Sequence, residues 1–312
     1  MSATYPNRQI FTKTLLSLAQ QNTQIIALAS DSRGSASLDE FANRLPDQFV
    51  EVGIAEQNLV SIAAGLAKSG KIPFACSPAS FLSMRSIEQI KVDGAYSHTN
   101  VKLIGISGGV SYGALGSTHH SLQDIAVTRA IPGLTVILPS DNVEMEQLTH
   151  ALVDYEGPVY VRIGRGAVPD VHDKDFLPEI GKGCTLLSGD QVSIIATGEV
   201  LRAALDAGYL LQNQGISARV IEIHTVKPLD EQLILKAATE TKAMVTVEEH
   251  SIYGGLGGAI AELIAQKHPI PMKILGIPDE SVINGTQAEI FQHYYLTAEG
   301  IAKEVKSLLH VN

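Results

Sequence analysis

Short β-branched runs separated by stretches of helical period recur along nearly the whole chain, and this alternation limits the fold more than any other feature. Residues 25–29, 49–52, 72–76, 101–107, 134–138 and 158–163 read as one series of strands. Residues 192–197, 218–223, 244–248 and 272–277 read as a second. Between them lie helical segments such as 57–68, where Leu59, Ile62, Ala63 and Leu66 share one face. Strands that alternate with helices imply parallel sheets covered by helices on both faces. The segment 166–183 carries prolines and charges and keeps no period, so it reads as a break. The expectation is an α/β chain of two domains, each a mostly parallel sheet covered by helices. Residues 1–170 form one domain, 171–184 a linker and 185–312 the other.

A length of 312 residues suits two such domains. The formal charge of −10 argues against nucleic acid or an anionic membrane as partner. Cys76 and Cys184 form no CxxC, and no His/Cys cluster has zinc-ligand spacing, so buried thiols in a reducing cytoplasm are expected. The N-terminus lacks a signal-peptide pattern, and no apolar run is long enough to span a bilayer.

The chemically informative stretch is Phe49-Val-Glu-Val-Gly-Ile-Ala-Glu-Gln-Asn-Leu59. A strand ends at Val52, Gly53 permits a tight turn, and a helix begins near Glu56. Side chains at such a junction project into the crevice at the carboxyl edge of a parallel sheet. By position alone, Glu56 is a first-turn carboxylate that complements the helix dipole.

The wider pattern adds a second meaning. VGIAEQN followed by SIAAGLA resembles the pyrimidine-binding domain of the transketolase and deoxyxylulose-phosphate synthase family. The likeness continues in order through FLSMRSIEQIK (81–91), GSTHHSLQDIAVTRAIPGLTVILPSD (116–141) and YVRIGRGAVP (160–169). From VSIIATGEV through VKPLD to VTVEEHSIYGGLGG the chain resembles the family's C-terminal domain. The resemblance implies thiamine diphosphate as cofactor. Glu56 would hydrogen-bond N1′ of the aminopyrimidine and favour the imino tautomer that removes the thiazolium C2 proton. That role calls for a carboxyl able to hold or share a proton, which Val52, Ile54 and Ala55 would favour by enclosing it. Phe81 matches the ring that stacks on the aminopyrimidine, and Ile54 and Asp31 fall beside the cofactor and the subunit interface. His119 matches a substrate-binding and proton-transfer histidine, preferred over His120. Arg165 and Ser35 match groups that grip a substrate phosphate, with Arg8 as a second such arginine. Arg85 either faces the same crevice or pairs with Glu88.

Some positions depart from the family pattern. Ser107 stands where transketolases carry a histidine, and Gly113-Ala-Leu-Gly116 replaces Gly-Glu-Asp-Gly. Leu115 cannot accept a hydrogen bond from a sugar hydroxyl, so a modified or branched ketose with an anionic end fits better than ordinary pentose phosphates. The Gly-Asp-Gly motif that holds the diphosphate and metal is missing, and nothing here offers a ready set of oxygen ligands. A separate N-terminal subunit is therefore expected to hold Mg2+ (or Ca2+), in an α2β2 assembly. The glycines 254–258 complete no nucleotide-binding fingerprint and read as close helix-on-strand packing. The implied activity is transfer of a two-carbon ketol unit between sugars by a split transketolase. The β-subunit of a 2-oxo-acid dehydrogenase is the alternative, and a catalytically silent partner that keeps the fold is a third reading.

Overall fold

The computed structural model describes residues 4–310. Six parallel strands make most of a first sheet: β1 (Ile25–Ala29), β2 (Phe49–Glu51), β3 (Ile72–Pro78), β4 (Lys102–Ile106), β5 (Thr135–Ile137) and β6 (Val159–Ile163). They lie in the order β5-β6-β4-β3-β1-β2. A second sheet holds β7 (Cys184–Leu187), β8 (Val192–Ala196), β9 (Ala218–Glu222), β11 (Met244–Ser251) and β12 (Met272–Ile277), in the order β12-β11-β8-β9-β7. Its strands are parallel except β7, which runs antiparallel to β9. β10 (Thr225–Lys227) leaves the second half of the chain and pairs antiparallel with β5, as the seventh strand of the first sheet.

The apolar runs do not alternate because both faces of the sheets are covered. Ile26 and Leu28 of β1 join one buried cluster with Leu59, Val60 and Ala63 of the helix Glu56–Lys68. Ile25, Ala27 and Ala29 of the same strand join another with Phe11 and Leu15 of the helix Asn7–Ala19. Strands β7 and β10 lie outside the runs read from the sequence. What fixes them is edge pairing, which no local pattern announces.

A buried polar knot joins the segment after β6 to both sheets. His172 Nδ1 lies 3.1 Å from Asp141 Oδ2, and its Nε2 lies 2.8 Å from Glu222 Oε2 on β9. Phe176 stacks on the imidazole with ring centroids 3.9 Å apart. Asp141 also caps the helix Asn142–Asp154 by accepting from the Glu144 amide. Burial opposes a charge on His172, but hydrogen bonds to Asp141, Cys184 and Glu222 outweigh it and push the pKa up to about 12. His172, Cys184 and Glu222 place ligand-type atoms close together, a convergence invisible to spacing rules. With His172 protonated, the imidazolium between Asp141 and Glu222 makes an ion-paired lock, with the Cys184 thiol donating to Glu222 beside it.

A folded pKa raised from 6.5 to about 12 gives stability that is complete below the ordinary value and fades as pH rises toward the folded one. His172→Asn should therefore cost about 3–5 kcal/mol near neutral pH, because two buried carboxylates lose their counter-charge. The deficit should shrink as the pH is raised toward the folded pKa. Scanning calorimetry of both proteins across that range checks the size and the sign.

Candidate active site

The strand-to-helix junction after β2 forms as a tight turn. Gly53 adopts φ 71°, and Asp31, in the turn after β1, takes φ 53°. Glu51 Oε1 spans the two turns, accepting from the amides of Asp31 (2.7 Å) and Gly53 (3.1 Å). The helix then opens with Glu56, whose side chain is only 6% exposed. The expected apolar enclosure by the preceding residues is not what surrounds it. Ile54 is 75% exposed, because the left-handed Gly53 turns the chain outward, and Val52 and Ala55 are only half-buried. Instead, Glu56 Oε1 accepts from Arg85 Nη1 at 2.9 Å. Of the two alternatives for Arg85, the structure takes the crevice, since Glu88 accepts from Gln89.

Arg85 closes the helix Ala79–Arg85, which follows β3 directly, and its Cζ sits 4.0 Å from the Phe81 ring centroid. Phe81 meets His119 edge-on at 5.3 Å, and His119 meets Tyr112 edge-on, also at 5.3 Å. Arg165 Cζ lies 5.2 Å from the Tyr112 ring centroid. An aromatic ladder thus runs along a cleft of about 470 Å3 from Glu56 to Arg165. Asp31, Ser35, Ile54, Glu56, Phe81, Leu115, His119 and Arg165 all line it. Arg8 does not line it but stands behind it, donating Nη1 to the Ser35 carbonyl at 2.7 Å. Burial and the nearby Arg165 lower the Arg8 pKa, and its buried Nε has no hydrogen-bond partner among the described residues. Two neighbouring guanidinium groups, one with a donor unspent, suit an anion.

Tyr112 is a cleft residue that sequence reading missed. Its only local signal is an aromatic in the glycine-bearing loop just before the 116–120 stretch. The two histidines of that stretch part company. His119 is half-buried in the cleft, with Nδ1 2.9 Å from Thr118 Oγ1. His120 is buried and bonds the Gly113 carbonyl at 2.9 Å, bracing the loop from below. Ser107 is buried, its hydroxyl without a partner among the described residues, whereas Leu115 is 57% exposed on the cleft wall. Glycines 254–258 pack as expected from the sequence. The Leu256 and Gly257 amides bind the Glu248 carboxylate, and a Cβ on Gly255 or Gly257 would strike Glu248 or Ile274.

The transketolase pyrimidine-binding domain matches residues 3–171, and the transketolase C-terminal domain matches residues 181–301. The chain belongs to the transketolase family. It is 54% identical over 297 residues to an apulose-4-phosphate transketolase subunit of Phocaeicola vulgatus, covering 95% of each chain. It is 36% identical to a 6-deoxy-6-sulfo-D-fructose transketolase subunit of a Clostridium species, covering 95% of this chain and 92% of that one. A solved split-gene transketolase, described as an inactive β4 tetramer, superposes with a TM-score of 0.90 at 36% identity, over 98% of this chain and 99% of that one. Near end-to-end correspondence with transketolase subunits makes this chain a subunit of a split transketolase, and the 2-oxo-acid dehydrogenase alternative is not favoured. Transketolases use thiamine diphosphate, and Glu56 with Phe81 fits its aminopyrimidine. The pair already receives a planar nitrogen-bearing group, the Arg85 guanidinium, stacked on the ring and donating to the carboxylate.

The two histidines should separate on substitution. His120→Ala should lower stability by about 1–3 kcal/mol by breaking a buried hydrogen bond. His119→Ala should change it by less than about 1 kcal/mol. Thermal denaturation of the two variants measures the difference.

Proposed function

We propose that this chain completes a thiamine diphosphate site shared with an N-terminal transketolase subunit and transfers a two-carbon ketol unit from a modified or branched anionic ketose to an aldose. The convergence of Glu56, Phe81, His119 and Arg165 on one cleft carries this reading. Residues 1–170 act as the pyrimidine-binding domain, joined through 171–184 to a C-terminal domain at 185–312. The bound cofactor supplies the carbanion chemistry. Glu56 holds the aminopyrimidine through a hydrogen bond at N1′ and fixes where its proton sits. Phe81 offers the ring face, while Ile54 and Asp31 border the cofactor at the subunit boundary. His119, hydrogen-bonded through Nδ1 and wedged between Phe81 and Tyr112, presents its remaining nitrogen for a substrate hydroxyl or its proton. Arg165, Arg8 and Ser35 take the anionic end of the sugar.

The partner's Gly-Asp-Gly motif would hold Mg2+ (or Ca2+) and the diphosphate, in a cytoplasmic α2β2 assembly. No helix among the described residues is long and apolar enough to cross a membrane. An apolar Leu115 on the cleft wall supports a ketose lacking the usual hydroxyl partner there, in keeping with the apulose-4-phosphate named for the Phocaeicola relative.

Assembly with the partner subunit and assay of glycolaldehyde transfer from a panel of ketose phosphates tests the proposal. Glu56→Gln should lower turnover at least about 100-fold and slow exchange of the thiazolium C2 proton followed by NMR. Unchanged turnover would mean a catalytically silent partner. Arg165→Ala should raise KM for phosphorylated ketoses by about tenfold or more, with far less effect on uncharged ones. An equal effect on both would sink the phosphate assignment.

A further inference from the structure

We infer that Arg85 is a reversible plug of the aminopyrimidine pocket, which must swing out for the cofactor ring to enter. This rests on the assignment of Glu56 and Phe81 to that ring. The guanidinium is planar, lies 4.0 Å over the Phe81 centroid and donates to Glu56 Oε1 at 2.9 Å. Those are the two contacts that an aminopyrimidine stacked on Phe81 and bonded to Glu56 would make. Glu56 is only 6% exposed, so what it can still offer a ligand it offers through the cleft that Arg85 enters. A planar base that takes the same ring face and the same carboxylate oxygen has to displace the guanidinium.

The same numbers show which partner moves. Glu56 is buried in the first turn of its helix, whereas the Arg85 side chain is 48% exposed and reaches the pocket from the rim. The plug also answers an electrostatic need, since a buried carboxylate without a partner is costly. Arg85 keeps Glu56 paired until a better-fitting donor arrives. A half-exposed ion pair and one cation–π contact are individually weak. Competition of this kind should reduce apparent cofactor affinity by about tenfold without abolishing it.

The test uses the complex with the N-terminal subunit, titrated with thiamine diphosphate by isothermal calorimetry and followed by stopped-flow. Binding should be about tenfold tighter, and faster, in Arg85→Ala and Arg85→Met than in the wild type. Arg85→Lys, which keeps the charge but loses the plane, should fall between. Without cofactor, Arg85→Ala should melt below the wild type, and saturating cofactor should close that gap. Methylguanidinium should compete with the cofactor in Arg85→Ala more strongly than in the wild type. Equal or weaker cofactor binding by both Arg85→Ala and Arg85→Met would overturn the plug, leaving the cofactor reading intact. Failure of the wild type and every variant to bind thiamine diphosphate would overturn the cofactor reading and the plug with it.

Discussion

A single buried guanidinium ties the two sheets together and, through them, shapes the cleft. Arg162 on β6 lies 3.7 Å from Asp124 Oδ2 and 3.5 Å from Glu249 Oε2, and it donates to the Glu249 carbonyl at 2.5 Å. Tyr160, two residues earlier, donates to the same Asp124 oxygen at 2.8 Å. Glu249 accepts in turn from the Val110 amide and from Gln287, which anchors the start of the loop that presents Tyr112 and His119. Gly108 and Gly109 leave the necessary room, since a Cβ at either would lie 2.2 Å from an Arg162 nitrogen. Breaking a buried pair of this kind exposes the remaining charge to full desolvation. The loop position is therefore tied to the domain interface as well as to the bracing that His120 gives from within.

Burial pushes the surplus acid around that knot toward its protonated form. Burial and the neighbouring Glu249 push Glu199 up to about 8, against the pull of Arg162. Burial likewise raises Glu248 to about 7, although two helix amides bind it. Carboxyls that can stay neutral make no claim on further cations. Arg8 and Arg165 stand close enough to feel each other's charge and make one end of the cleft positive, although the chain as a whole carries a formal charge of −10. Net charge speaks for solubility, while the sign of a binding site is decided over a few ångströms.

What could be read from the residues alone follows the range of each interaction. The long β-branched runs and the Gly53 turn are local, so the core strands and the junction at Glu56 were legible directly. β7 and β10 depend on edge pairing with β9 and β5, and no local period marks them. Resemblance brought Glu56, Phe81, His119 and Arg165 forward, and topology gathers them in one cleft. The direction of individual side chains was harder to read. Ile54 turns outward after a left-handed glycine, and Arg85 reaches a carboxylate 29 residues away in sequence. Tyr112 owes its place to contacts with His119 and the distant Arg165, and so carried almost no local sign.

The cleft's chemistry also explains why it needs a second chain. Its ionisable groups are Asp31, Glu56, Arg85, Tyr112, His119 and Arg165. Glu56 is engaged by Arg85, and Asp31 alone cannot build the near-octahedral oxygen shell that Mg2+ demands. Cations and aromatics dominate its lining, as the proposed base at one end and sugar anion at the other require. The rim carries exposed Ile54 and Leu115, and Met84 is exposed on the helix that supplies Phe81. Apolar side chains at the mouth of a polar cleft gain from being covered by another surface. On the proposed reading, a partner that seats there excludes water from Glu56 and brings the oxygen ligands that this cleft does not supply. Closing the site and completing its chemistry would then be one event.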